Sequence, residues 1–249
     1  MKLRLVAAAV FAGASLGAQP APIHVLVSNG VRAVVEDLQP QCEKAIGHPL
    51  SIEYSAAALL KQKVDAGEQF DVALLTTEVT DELIKEGKVA AESRADLGRV
   101  GVGIGIRARA PKPDISTPDA LKRTLLNAKS ITYAKDGAAR ILIEQIYDRL
   151  GIANEVKPKI VLQSVPGRPQ SAVADGQVEM VMTLVSEILP VKGVELVGPV
   201  PKELQNYVSF RGGVSTNTKN ADASRAVVKF FTSSKSAPAY KARGLEPAR

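Results

Sequence analysis

Residues 23–47, IHVLVSNGVRAVVEDLQPQCEKAIG, constrain the fold more than any other stretch of the chain. Val25, Leu26 and Val27 are apolar on successive positions, which suits a parallel strand covered on both faces. Val31, Val34, Val35 and Leu38 follow at i, i+3, i+4 and i+7, so a helix with one buried stripe begins almost at once, with Glu36 and Asp37 turned to water. Ser28, Asn29 and Gly30 make the turn between them. Ser28 or Asn29 can cap the helix, and Gly30 lets the backbone come close to whatever sits at the helix end. Unpaired N–H groups and the positive end of the dipole favour an anion at that point.

The same alternation continues. Residues 50–54 read as a strand, 56–66 as a helix, 70–75 as a buried strand after the Gly67 stop, and 78–86 as a helix ended by Gly87. Strands separated by helices of this length imply βαβ units and a mainly parallel sheet with right-handed crossovers. Ligands of such sheets lie off the carboxyl ends of the strands. Here those ends are Ser28-Asn29-Gly30, Tyr54-Ser55-Ala56 and Leu75-Thr76-Thr77.

Residues 99–107, RVGVGIGIR, place glycine at every second position of a β run. The glycines sit inside a strand and do not open a helix, so a nucleotide fingerprint is rejected. They mark close backbone approach or a bend, as a crossover between two lobes needs. A second alternating set follows: strands at 130–134, 159–163, 180–184 and 194–197, with helices at 138–150 and 168–175 between them. Residues 208–214 offer a return crossover, and 222–232 and 235–242 read as closing helices. The expected organisation is a leader at 1–21, one lobe from 22–100 plus 211–249, and a second lobe from 101–210.

Met1-Lys2-Leu3-Arg4, the apolar run of residues 5–16 and the small residues around Ala18 and Ala21 have the pattern of a secretory signal peptide, cut after one of those alanines. The mature protein is then a periplasmic monomer with no membrane insertion. Cys42 is the single cysteine, so it has no internal disulfide partner and is expected to fill the core. The formal charge of +6 is scattered, Trp is absent and aromatics make up 4% of residues, which excludes a basic stripe or a stacking platform for nucleic acid. His24 and His48 have no third ligand at a metal-site spacing, no G-x-S-x-G elbow exists, and no cofactor motif is present.

The order of elements, the segment DAGEQFDVALL (residues 65–75), the glycine-alternating strand and GVELVGPVP (residues 193–201) resemble the bacterial extracellular solute-binding proteins related to the periplasmic molybdate-binding protein. The resemblance covers nearly the whole mature chain. It implies a two-lobed type II α/β fold joined by two crossover strands, with a small ligand held in the cleft by backbone N–H groups and hydroxyls. In molybdate binders the first turn carries a serine hydroxyl where this chain has Gly30, and the second is a serine run where this chain has Ser55 followed by alanines. The tyrosine expected late in the second lobe falls near Thr183. Each ligand oxygen left without a donor costs about 1–3 kcal/mol, which disfavours molybdate.

Arginines near predicted strand ends stand in exchange: Arg32, Arg140 and Arg168. Guanidinium forks suit carboxylates. The ligand-binding set expected from sequence is Ser28, Asn29, Gly30, Arg32, Tyr54, Ser55, Thr76, Arg140, Arg168, Thr183 and Ser186, serving a small organic anion delivered to an ABC permease. Some members of this branch resemble aconitate isomerase, which moves a proton along an unsaturated tricarboxylate. For that alternative Glu187 is the candidate base, with Tyr54 or Lys135 as partner.

Overall fold

The computed structural model describes residues 20–248. The expected leader lies outside the described residues except for its last two positions. The first strand, β1 (Ile23–Ser28), is buried along nearly its whole length and passes through a short turn of helix, Asn29–Val31, into α1 (Arg32–Ile46). Val34, Val35 and Leu38 form the buried stripe of α1, and Gly47 ends it in the left-handed conformation, at φ 74°. Then come β2 (Leu50–Ser55), α2 (Ala57–Asp65), β3 (Val72–Thr76) and α3 (Thr77–Lys85). All five residues of β3 are buried, as a strand covered on both faces requires. Cys42 is fully buried on α1, and loss of solvation pushes its thiol up to about 12, so it is a core residue without reactivity at neutral pH.

The long strand β4 (Ala95–Arg107) leads to α4 (Pro118–Asn127), whose first turn is capped by Thr117 accepting from the Ala120 N–H and begun by Pro118. The second set is β5 (Ile131–Ala134), α5 (Arg140–Leu150), α6 (Ala153–Val156), β6 (Ile160–Gln163), α7 (Arg168–Ala174), β7 (Met180–Leu184), α8 (Val185–Ile188) and β8 (Val194–Pro199). The chain returns through β9 (Tyr207–Val214) and closes with α9 (Ala221–Phe231), α10 (Ala237–Ala242) and β10 (Glu246–Pro247). No helix among the described residues is long and apolar enough to cross a membrane.

The strand order is β2-β1-β3-β9-β4-β7-β5-β6, with β8 and β10 also on β4. Each lobe has a parallel centre, as the βαβ pattern implies: β2-β1-β3 in the first and β6-β5-β7 in the second. Every pairing made by β4 or β9 is antiparallel, so the sheet as a whole is mixed. The reason is topological: a strand that crosses from one lobe to the other enters each sheet from the opposite end. Residues 95–101 of β4 pair with β9, and 102–107 pair with β7 and β8, so the hand-over falls between Gly101 and Val102. Tyr207 to Phe210 pair with the first half of β4, on the first-lobe side of that hand-over, whereas sequence grouped them with the second lobe.

The alternate glycines of β4 are required by space. A Cβ on Gly101 would stand 2.6 Å from the Gln205 side chain, one on Gly103 2.9 Å from Val185, and one on Gly105 2.9 Å from both Val181 and Val194. Helices and strands of the second lobe lie directly on the bare face of this strand. Gly105→Val is therefore expected to overpack the second-lobe core and to lower stability by about 1–3 kcal/mol, read as a lower urea midpoint. A midpoint equal to the parent's would show that the face is not closely packed.

Candidate functional site

A cavity of about 290 Å³ lies between the lobes, at the carboxyl ends of β1, β2, β5, β6 and β7. The first lobe supplies Ser28, Asn29 and Arg32 after β1, and Ala56, Ala57 and Leu59 after β2. The second lobe supplies Asp136, Gly137 and Ala138 after β5, residues 163–167 after β6, Pro169 and Gln170 of α7, and Ser186 and Glu187 of α8. Parallel strands end together, so the loops that follow them converge on one edge.

Those loops lead into helices, so several helix N-termini meet at the cavity. The caps are Ser28, Ala56, Ala139, Gly167 and Leu184, and none gives its helix a side-chain hydrogen bond. The turns themselves take some first-turn N–H groups, those of Leu59, Arg140 and Arg168 among them, and the others are left for a ligand or water. The charged side chains in the wall are Arg32, Glu36, Asp136 and Glu187. Arg32 donates to Glu36 at 2.7 Å, one turn on, and its guanidinium lies 4.8 Å from the centre of the Tyr54 ring. Burial, with the neighbouring Glu36 charge, pushes the Tyr54 phenol up to about 12, and its hydroxyl is buried without a partner. Asn29 Oδ1 and Gln170 Oε1, one from each lobe, are likewise buried in the wall without a partner.

Glu187 sits in the first turn of α8 and accepts a hydrogen bond from the Thr183 hydroxyl at 2.5 Å. Desolvation raises its pKa, against the opposing effect of that hydrogen bond. Beside it, Ser186 donates to the Gly30 carbonyl at 2.7 Å and ties the second lobe to the first.

Ser28, Asn29, Arg32, Ser186 and Glu187 of the sequence-based set are brought together in this wall. Thr183 stands behind it, holding Glu187. Tyr54 backs Arg32, and Ser55 pairs with Ser28 at the strand ends, next to the lining Ala56. Gly30 is placed differently from expectation. Its close approach is to protein and not to a ligand: a Cβ there would meet the Phe210 ring at 2.4 Å and Leu184 at 2.9 Å. Thr76 is buried at the head of α3, paired with Phe210 and away from the cavity lining. The Arg140 guanidinium is occupied by Glu144 at 2.9 Å and by the Lys135 carbonyl. The Arg168 guanidinium is held by Gln177 and Asp175. Neither lines the cavity, because each finds a nearer partner on or beside its own helix, and Lys135 is exposed outside it.

Glu36, Asp136, Gln170 and residues 163–167 were not among the residues picked from the sequence. The Pro166-Gly167-Arg168-Pro169 turn signal and the left-handed Gly167, at φ 74°, could have marked the last of these as a helix-entry loop. Pairing of β1 with β2 also brings Glu53, together with Glu68, within 4.8 Å of a His24 ring nitrogen, a grouping the sequence spacing concealed. Two of its members have other partners: His24 Nδ1 bonds the Gln69 carbonyl, and Glu53 pairs with Lys63.

Residues 23–246 match the family described as bacterial extracellular solute-binding protein. Among characterised relatives, an aconitate isomerase from a Pseudomonas species is 30% identical over 239 residues, covering 93% of this chain and 90% of that protein. The molybdate-binding protein ModA of Azotobacter vinelandii is 27% identical over 251 residues, covering 97% and 96%. Among solved structures, the periplasmic molybdate-binding protein of Azotobacter vinelandii superposes with a TM-score of 0.78 at 16% identity, covering 91% of this chain and all of that one. The sulfate-binding protein SubI of Mycobacterium tuberculosis gives 0.73 at 17% identity, over 92% and 88%. With two lobes, a crossover strand and an interlobe cavity in place, this chain belongs to the bacterial extracellular solute-binding protein family.

Proposed function

We propose that this protein captures a small organic carboxylate in the interlobe cavity, in the periplasm, for delivery to an ABC importer. The observation that carries the reading is the convergence of uncapped helix N-termini, those of α2 and α5 foremost, on a cavity far roomier than a four-oxygen anion needs. Backbone N–H groups and aligned dipoles stabilise a carboxylate there without a cluster of cations. Closure of the two lobes about the hinge at 101–102 and 200–206 accompanies capture, because a ligand touching both lobes has more contacts in the closed state. The Ser186 to Gly30 hydrogen bond supports closure as a contact that opening would break.

A second reading, an isomerase of an unsaturated tricarboxylate, is favoured by one feature. Glu187 is a cavity carboxyl whose pKa is raised by desolvation, the property wanted in a group that takes a proton from the methylene beside a double bond and returns it at the far end of the allylic anion. The likeness to an aconitate isomerase supports the same reading.

A thermal-shift screen against oxyanions and mono-, di- and tricarboxylates tests the class. A true ligand at a hundred times its Kd adds about 2.7 kcal/mol of stability. Stabilisation by molybdate or sulfate alone would refute the carboxylate reading. Arg32→Ala should weaken binding of any hit about tenfold, whereas Arg140→Ala and Arg168→Ala should leave it unchanged. Equal losses at all three positions would move the site.

Glu187→Gln separates the two readings. In a binder it should keep or tighten anion affinity by removing a like charge. In an isomerase it should leave binding and abolish the conversion of trans- to cis-aconitate followed by ultraviolet absorbance. No turnover by the parent protein would end the isomerase reading.

The same variant reports on the buried carboxyl. A folded-state pKa raised above the unfolded value, about 4.3, means that folding opposes ionisation. The parent therefore loses stability as pH rises above about 4, and the Glu187→Gln protein, with no charge to bury at that position, does not. The variant should match the parent near pH 4 and melt at higher temperature near pH 8. A difference independent of pH would contradict burial of the charge.

A further inference from the structure

Glu187 differs from the other charged groups of the cavity wall. Arg32 and Glu36 pair with each other, and Asp136 stands exposed in the loop after β5. Glu187 is only partly exposed, and its Oε2 accepts from the Thr183 hydroxyl at 2.5 Å. Its Oε1 takes no hydrogen bond from a described residue and, unlike the amide oxygens of Asn29 and Gln170, is not covered by protein. One oxygen is anchored, and the other is open to whatever enters the cavity.

The elements packed on α8 do not balance its charge. β7 and the turn Asn29–Val31 carry none. Arg107 of β4 and Glu195 of β8 lie level with Met180, where β7 begins, whereas Glu187 follows the end of that strand. Arg243 precedes Gly244, which packs on Val185 and Leu189 of this segment, and is held by Asp37. Across the cavity, Arg140 is held by Glu144 and Arg168 by Gln177 and Asp175. Neither these groups nor Lys192, in the turn after α8, sets the state of the carboxyl, which follows from desolvation and the Thr183 hydrogen bond.

An anion in a space of about 290 Å³ stands close to Glu187 with little water between them, and two negative charges so placed oppose each other strongly. One proton removes the conflict. A protonated Glu187 can donate from Oε1 to a carboxylate, forming an O–H···O⁻ bond of the stronger, charge-assisted kind. Desolvation has already moved the group toward that form.

We infer that the ligand is captured together with a proton from solvent, held between Glu187 Oε1 and a carboxylate of the ligand. This rests on the organic-carboxylate reading and adds to it a recognition contact and a proton stoichiometry. No covalent bond changes: the ionised fraction of Glu187 takes its proton from the buffer as the carboxylate enters. A carboxylate beside it favours the protonated form further, so affinity is greatest at low pH and falls as pH rises through the range where the free protein loses this proton and the complex keeps it.

The test is titration calorimetry of the purified protein with propionate, benzoate, succinate and trans-aconitate, and with sulfate and molybdate. For a carboxylate that binds, affinity should fall about tenfold or more between pH 6 and pH 9. At one pH within the fall, the heat should differ between Hepes and Tris, whose ionisation heats are unequal, by an amount that counts the protons taken up. That count needs no variant. Glu187→Gln keeps an acceptor for Thr183 and an amide donor for the ligand, and its affinity should stay within about twofold across the range, with the same heat in both buffers. Binding by the parent without pH dependence or buffer-dependent heat overturns this inference and leaves the carboxylate reading standing. An equal fall in Glu187→Gln overturns Glu187 as the holder of the proton. Heat from sulfate or molybdate alone, or from nothing in the panel, overturns the carboxylate reading and this inference with it.

Discussion

The structure depends on one strand being shared by two sheets. β4 pairs with β9 up to Gly101 and with β7 and β8 from Val102 onward. At the hand-over neither sheet offers Val102 a complete set of partners, and a buried peptide group left unpaired would be strongly unfavourable. The Gln205 side chain fills the gap: its Oε1 accepts the Val102 N–H at 2.8 Å and its Nε2 donates to the Val102 carbonyl at 2.9 Å. The Val200 N–H reaches the same carbonyl at 3.0 Å. The second connection between the lobes is thus fastened to the first at the point where the lobes divide. The bare glycine face of β4 lets it come that close, since a side chain on Gly101 would fall where Gln205 lies.

The cavity follows from this arrangement. Two parallel-centred sheets joined by an antiparallel crossover present their strand carboxyl ends to each other, and the turns after those ends become opposing walls. A recognition surface built this way is made largely of backbone, whose N–H groups hold fixed positions and need no side-chain ordering on binding. The polar side chains in that wall are few, and two of them carry amide oxygens that the protein covers without pairing. Glu187 is kept toward its neutral form, while Asn29 and Gln170 lack partners.

Much of the architecture is legible in the amino-acid sequence alone. Strand and helix positions followed from the period of the apolar residues, and the crossover from glycines spaced two apart. The antiparallel entry of β4 and β9 was not, because local patterning reports what each strand is covered by and not the direction in which it enters its neighbours. Within the site the contrast is sharper. Ser28, Asn29, Ser186 and Glu187 were reachable because they directly follow strand ends, and strand ends are visible in sequence. Arg140 and Arg168 follow strand ends too, yet Glu144 and Gln177 take their guanidinium groups. Which partner a long, flexible side chain adopts depends on neighbours that sequence spacing does not rank.

Gly30 shows the division most clearly. From sequence alone it is a glycine at a strand-to-helix turn, and the need for close approach can be read from that. What approaches is the Phe210 ring and Leu184, residues distant in the chain. The sequence by itself determined the elements, their order and the two-lobed α/β class, because these rest on periodicities within a dozen residues. Only the tertiary structure decided which polar groups face the cavity, which are left unpaired and which charge is desolvated, because those properties belong to the meeting of segments whose mutual distance is set by the crossover.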